Sequence, residues 1–237
     1  CANGVGASKL ATLAAAVGAD TLPLSLRNTE GVPGSLNNKV GADFVQKEVI
    51  APRDGGFDSL PPGHRCVSVD GDSDRLVYFT KKEQTSTTTP GNNDVTLFDG
   101  DKIAALMATH VADLLKRCHV SLSPAPSVGV VQTAYANGAS TAYVSEKLGL
   151  QTACTPTGVK HLHPKAEEYD VGIYFEANGH GTAVFSDAAV AAIDEALAKT
   201  KTKTKSTTTS SSAAAAAAAA ADAADEDVAV VVDADVV

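Results

Sequence analysis

Three aspartates, Asp70, Asp72 and Asp74, stand at alternate positions in the string Asp70-Gly71-Asp72-Ser73-Asp74-Arg75. Along an extended backbone alternate side chains share one side, so this spacing gathers three carboxylates. Such charges repel one another unless a cation lies among them, and hard oxygen ligands of this kind suit Mg²⁺ or Ca²⁺. Gly71 and Ser73 are small enough to let the loop close around an ion. A solvated acidic turn without a ligand is a competing reading of the same string. A helix-loop-helix calcium loop is a third. It requires Gly at the sixth position and Glu at the twelfth, where this chain has Arg75 and Lys81 between extended runs. The calcium loop is therefore excluded.

A second cluster, Glu176-Ala177-Asn178-Gly179-His180-Gly181-Thr182, follows an apolar run. Asn-Gly is the commonest short hairpin turn, and a turn alone is a sufficient reading of that pair. It leaves Glu, Asn and His within five residues unexplained. Sugar hydroxyls both donate and accept, so a carboxylate and an amide together bind a vicinal pair of them. An imidazole beside them serves proton transfer near neutral pH. A third string, Thr157-Gly158-Val159-Lys160-His161-Leu162-His163, reads as a Gly turn opening a helix, which favours an anion, with Lys160 as a point charge. A plain helix start with a solvated Lys160 fits equally. His161 and His163 are two apart and share no helix face, so they are not expected to chelate a metal.

These strings must be positioned by regular elements. Apolar runs predict strands at 22–26, 65–69, 76–80, 128–131, 152–154 and 171–175. Helices are expected from Gly6 to about Val17, over 140–148, over 159–169 and from Asp99 to Cys118. There Ile103, Leu106, Met107, Val111, Leu114 and Leu115 recur at helical spacing behind an Asp99 N-cap. Residues 181–186 should pair antiparallel with the preceding strand through Asn178-Gly179. Residues 81–96 read as a polar loop. Alternating strands and helices predict an α/β protein of two similar α/β/α lobes with mixed, mostly parallel sheets, and βαβα order in each. From Thr200 the sequence is of low complexity, with a Lys-Thr alternation, a Ser/Thr run and nine consecutive alanines.

Asp-Gly-Asp-x-Asp-Arg after a strand resembles the metal loop of the α-D-phosphohexomutases. Glu176-Ala177-Asn178-Gly179-His180-Gly181-Thr182 resembles their sugar loop, in the form that carries Asn in place of Ser, which is that of the phosphoacetylglucosamine mutases. Further strings resemble the same branch: Thr157–Lys160, Gln132–Gly138, Phe98–Lys102, Cys1–Gly6 and Gly41–Val45. The resemblance spans residues 1 to about 186. It implies that Asp70, Asp72 and Asp74 hold Mg²⁺ and that Arg75 faces the cleft. It also implies that Glu176 and Asn178 hold sugar hydroxyls, that Lys160 meets the substrate, and that His180 is a catalytic acid/base or phosphate contact. Ser73 departs from the Gly or Ala usual at its position.

By the same resemblance, residues 1–96 correspond to the family's second domain without its first strand and 97–199 to most of its third, with 200–237 as a tail. The implied reaction interconverts N-acetylglucosamine 6-phosphate and 1-phosphate through a phosphoserine, on the route to UDP-N-acetylglucosamine. No Ser-His-Asn-Pro string and no basic phosphate loop occurs here. The chain reads as a fragment, expected to be inactive alone. A phosphohexomutase for glucose, glucosamine or mannose phosphate, or a noncatalytic Mg²⁺-binding fragment, are the alternatives.

Composition narrows the classes further. Of 237 residues 44% are hydrophobic, enough for packed cores, and the net charge of −9 argues against nucleic acid as the main partner. No apolar run approaches the roughly 20 residues of a membrane span. Cys1, Cys66, Cys118 and Cys154 form no Cys-x-x-Cys pair and read as reduced thiols of a cytoplasmic protein. A small sugar phosphate is the expected partner, and no protein partner is expected.

Overall fold

A computed structural model describes residues 1–208 apart from 19, 30, 32, 84–93, 119 and 121–126. Two sheets organise them. The first is antiparallel in the order β1-β2-β3, formed by β1 (Arg65–Val69), β2 (Leu76–Lys81) and β3 (Val95–Phe98). The second has the order β5-β4-β6-β7 and contains β4 (Val128–Thr133), β5 (Gln151–Thr155), β6 (Val171–Phe175) and β7 (Gly181–Phe185). Strands β4, β5 and β6 are mutually parallel, and β7 returns antiparallel to β6. The α/β class and the mostly parallel second sheet agree with the sequence.

The first sheet does not repeat the second. Helices α1 (Gly6–Val17) and α2 (Ala42–Glu48) precede it, and all its described pairings are antiparallel, so the expected βαβα order before residue 80 is not found. The strand expected at 22–26 is also corrected. Leu22, Leu24 and Leu26 alternate in burial as a strand would, but no described strand lies beside them. Pro23 has no N–H to offer a ladder. Leu22 N instead donates to Gly18 O (2.9 Å), and just beyond the run Arg27 O accepts from Cys1 N (3.1 Å) and Asn28 O from Asn3 N (2.8 Å). Strand β3 lies partly within the stretch read as a polar loop, whose residues 84–93 fall outside the described residues.

The second sheet is covered on both faces. Helix α3 (Gly100–Arg117) and a π-helical turn (Tyr143–Lys147) that continues α4 (Gly138–Ala142) bury Ile103, Ala104, Ala108 and Val144 against Val130, Ile173 and Phe175. On the other face α5 (Val159–Ala166) buries Leu162 and Ala166 against Val131 and Tyr174. Each large apolar side chain removed from water in this way contributes about 1.5–3 kcal/mol. The apolar stripe of α3 and its Asp99 cap are as expected: the Asp99 carboxylate accepts from Lys102 N at 3.2 Å. Helix α6 (Asp187–Thr208) continues into the low-complexity sequence, whose residues 209–237 lie outside the described residues. In the first sheet, α2 places Ala42 and Val45 on Val77, Phe79 and Val95.

This layout decides where chemistry can occur. In a parallel sheet the loops beyond the carboxyl ends of neighbouring strands converge. Here those are 134–137 after β4, 156–158 after β5 and 176–180 after β6.

Candidate active site where the two sheets meet

The acidic string is the hairpin loop between β1 and β2, closed by the Val69–Leu76 pair. It is not extended, so the gathering of carboxylates has a different cause from simple alternation. Asp70 N donates to Arg75 O at 3.4 Å, Ser73 N to Asp70 O at 3.2 Å, and Arg75 N to Asp70 Oδ1 at 3.2 Å. Ser73 takes a left-handed φ of 65°, the conformation that suits glycine at this position. The loop thus curls, and one carboxylate oxygen from each of Asp70, Asp72 and Asp74 lies within 4.8 Å of the others. Asp70 is buried while Asp72 and Asp74 are exposed, leaving an open side. Three hard oxygen donors at this spacing fit a divalent cation of the Mg²⁺ or Ca²⁺ type.

Electrostatics agree with that fit. Burial pushes the Asp70 carboxyl above the usual carboxylate range, and the Arg75 backbone N–H pulls it back in part. A hydrogen bond with Asp74 and the charges of Asp74 and Asp72 push it up further. A bound cation would offset both the burial and the repulsion. One guanidinium and one imidazole already flank the cluster. Arg75 Nε is 3.8 Å from Asp70 Oδ2 and from Asp74 Oδ1, and His180 Nε2 is 3.6 Å from Asp74 Oδ2.

His180 belongs to the loop between β6 and β7, so the two clusters meet. Arg75 and His180 form an antiparallel bridge, and Leu76 N donates to Gly179 O at 3.2 Å. Gly179 makes this approach possible. Its φ is +88°, and an added Cβ would overlap the Leu76 carbonyl oxygen and lie 2.6 Å from Leu76 C. From the other side Gly100 N, at the start of α3, donates to Ala177 O at 3.1 Å. Inside the loop, Gly179 N donates to Glu176 O (2.8 Å), Glu176 N to His180 O (2.9 Å), and His180 N to Asn178 Oδ1 (3.0 Å). One oxygen of Glu176 accepts from Gly158 N at 2.9 Å and so joins the loop after β5 to the loop after β6.

Of the residues singled out in the sequence, Asp70, Asp72, Asp74, Arg75, Glu176, Asn178 and His180 therefore form one connected cluster. Lys160 is exposed in the first turn of α5, has no ion pair among the described residues, and reaches the cluster only through the Gly158 turn. His161 and His163 are not drawn into a metal group. His163 instead places Nδ1 3.0 Å from Tyr174 OH and Nε2 3.2 Å from Glu167 Oε1.

Comparison with known proteins bears on this geometry. The family described as phosphoacetylglucosamine mutase AMG1, domain III, matches residues 99–232. The phosphoacetylglucosamine mutase of Arabidopsis thaliana is 49% identical over 188 residues, covering 79% of this chain and 32% of that protein. That of Homo sapiens is 43% identical over 196 residues, covering 83% and 33%. The crystal structure of Aspergillus fumigatus N-acetylphosphoglucosamine mutase in complex with GlcNAc-6P and magnesium is similar at a TM-score of 0.69 and 43% identity, covering 80% of this chain and 36% of that one. The chain belongs to the phosphoacetylglucosamine mutase family. It spans about a third of the length of the curated relatives it matches.

Two acidic residues that the sequence strings do not single out join this site or its support. Asp43, in the first turn of α2, places Oδ1 3.2 Å from Arg75 Nη1. It lies in the Gly41–Val45 string quoted for the resemblance, and an acid in an otherwise apolar string was the available signal. Asp101 is buried at 4% exposure and accepts from Asn137 N at 2.8 Å, which pins the loop after β4 to the start of α3. Burial raises the Asp101 carboxyl above its ordinary value. The Asn137 N–H lowers it in part, and the charge of Asp99 raises it further.

Asp101→Ala leaves the Asn137 N–H without its partner and is expected to destabilise the fold by about 1–3 kcal/mol in denaturant titration. Asp101→Asn keeps an acceptor and separates charge from hydrogen bond. A raised carboxyl binds more protons in the folded than in the unfolded chain. Its contribution is therefore most favourable at low pH and falls as pH rises from the ordinary carboxylate value through the raised one. Asp101→Asn should flatten that part of the stability profile. An unchanged slope would show that this carboxyl does not titrate differently on folding.

Proposed function

We propose that this chain carries the metal loop and the sugar loop of an enzyme that interconverts N-acetylglucosamine 6-phosphate and N-acetylglucosamine 1-phosphate. The observation that carries the reading is the backbone bridge between Arg75 and His180, which sets three clustered carboxylates beside the Glu-Asn-His loop. Either cluster alone has duller explanations. Their meeting at the carboxyl ends of parallel strands is the arrangement a sugar phosphate and a cation require together.

In this reading Asp70, Asp72 and Asp74 hold Mg²⁺, which when bound supplies positive charge to oxygens of a transferring phosphoryl group. The phosphoryl group travels through a phosphoserine, as the resemblance implies. The chain's own residues bind and orient the sugar. With Oε1 of Glu176 engaged by Gly158 N, the second oxygen is left to accept from a sugar hydroxyl. With Oδ1 of Asn178 engaged by His180 N, the amide N–H groups are left to donate to a neighbouring hydroxyl. The His180 imidazole, beside Asp74, is placed to hold or move a proton at the reacting oxygens. Arg75 and Lys160 supply positive charge to the substrate phosphate.

The setting we propose is the cytoplasm. Its support is that Cys1, Cys66, Cys118 and Cys154 are all free thiols. No described helix is long and apolar enough to cross a membrane.

Crystals of the chain soaked in Mn²⁺ should give an anomalous peak among Asp70, Asp72 and Asp74. A peak elsewhere, or none at this loop, overturns the metal assignment. The substrate class is tested in a full-length mutase carrying this segment. Faster turnover of glucose phosphate than of N-acetylglucosamine phosphate overturns the sugar assignment and leaves the metal site standing.

A further inference from the structure

The guanidinium of Arg75 lies between two sets of carboxylates. On one side Nη1 is 3.2 Å from Asp43 Oδ1, and on the other Nε is 3.8 Å from both Asp70 Oδ2 and Asp74 Oδ1. Asp43 Oδ1 and Arg75 Nε are both shut off from solvent, yet neither completes a hydrogen bond. The side chain is thus held by charge at two ends without being locked at either. Asp43 is anchored from its own helix. Its second oxygen accepts from Lys47 Nζ at 3.1 Å one turn along the helix, and α2 is fixed by Ala42 and Val45, which are fully buried in the cluster containing Val77 and Phe79 of β2.

We propose that Asp43 is a positioning residue for the metal loop. It holds the Arg75 guanidinium back from Asp70 and Asp74, so that their oxygens stay available to a divalent cation. This rests on the metal assignment made above. The physical cause is competition for the same lone pairs. A guanidinium already 3.8 Å from two carboxylates needs only a small rotation to form charge-assisted hydrogen bonds of roughly 2.7–2.9 Å with them. An incoming cation must then displace it. Asp43 draws the guanidinium the other way, and Lys47 keeps Asp43 oriented to do so. Side-chain exposure of 33% for Arg75 and 38% for Asp43 makes this a partly solvated pair. The expected change in cation affinity is correspondingly modest, about three- to fivefold.

Titration of the 237-residue chain with Mn²⁺, followed by the electron paramagnetic resonance of the free ion, measures this directly and needs no enzyme activity. Asp43→Asn should weaken Mn²⁺ binding about three- to fivefold, with Asp43→Ser behaving alike and Asp43→Glu recovering most of the affinity. In an Arg75→Met background there is no guanidinium to hold back, so Asp43→Asn should there change the affinity less than about twofold. If the full loss persists in that background, Asp43 acts only through its own charge and the proposal is overturned. Equal affinities for the parent chain and Asp43→Asn overturn it as well. A parent chain that binds no Mn²⁺ overturns the metal assignment itself, and this proposal with it.

Discussion

Gly179→Ala is expected to destabilise the protein by at least about 3 kcal/mol and to abolish cation binding at the acidic loop. An added methyl group would overlap the Leu76 carbonyl oxygen, with Leu76 C at 2.6 Å and Leu76 N at 3.0 Å. All three are backbone atoms of a strand whose register is fixed against β1 and β3, so no side chain can swing away to make room. The φ of +88° adds strain of its own for a residue with a Cβ. Losses of this size come from few mechanisms, and forcing apart a backbone contact is one of them.

Gly149 provides the matched control. Its φ is +66°, but an added Cβ meets nothing within 4 Å. Gly149→Ala should therefore cost only the conformational strain, about 1–2 kcal/mol. Urea unfolding of the two variants beside the parent separates close approach from strain. Equal losses in both would mean that the Leu76–Gly179 contact carries no weight.

The second large effect is expected at Glu176. In a full-length mutase carrying this segment, Glu176→Ala should lower kcat/KM for N-acetylglucosamine phosphate by roughly ten- to a hundredfold. That corresponds to the loss of about 1.5–3 kcal/mol from hydrogen bonds made by a charged group. Part of this effect is indirect, since Glu176 Oε1 also holds Gly158 N. Glu176→Gln narrows the parts: its amide oxygen can still accept from Gly158 N while its N–H groups can donate to a sugar hydroxyl. The activity it recovers over alanine therefore sets an upper bound on the support given to the 157–160 loop, and the activity it still lacks reports the carboxylate charge. Asn178→Ala should fall in the same direction, and it also removes the acceptor for His180 N. Unchanged kinetics in both alanine variants would defeat the sugar-loop assignment.

The parts of this fold legible in the sequence are those whose signal is local. β1, β2 and β6 are short apolar runs, and α3 repeats its apolar residues at helical spacing behind a capping aspartate. The second sheet could be anticipated because strands and helices alternate there. Helix α2 leaves no local signal because it is seven residues long with only Ala42 and Val45 buried, too short for a period to show. β3 has only four residues and follows a polar stretch. The run at 22–26 has the period of a strand, but a strand is defined by its partner, which a local pattern does not contain.

The same division applies to the site. The acidic triad and the Glu-Asn-His loop are contiguous strings whose residue types announce chemistry. Their meeting is not local, because it depends on a glycine that admits a neighbouring backbone about a hundred residues away in sequence. Asp43 approaches Arg75 only because α2 packs on β2. The reason first offered for the triad, alternation along an extended chain, is replaced by a curled loop with Ser73 at positive φ.

The bridge between Arg75 and His180 has one further consequence. Because main-chain atoms join the two loops, the distance between the acidic loop and the Glu-Asn-His loop is set by a backbone ruler. On the reading proposed above, a lineage can then exchange the residue at position 178, and with it the contact offered to a sugar, without displacing the acidic loop. Inheritance of the acidic loop and drift of the Glu-Asn-His loop become separable.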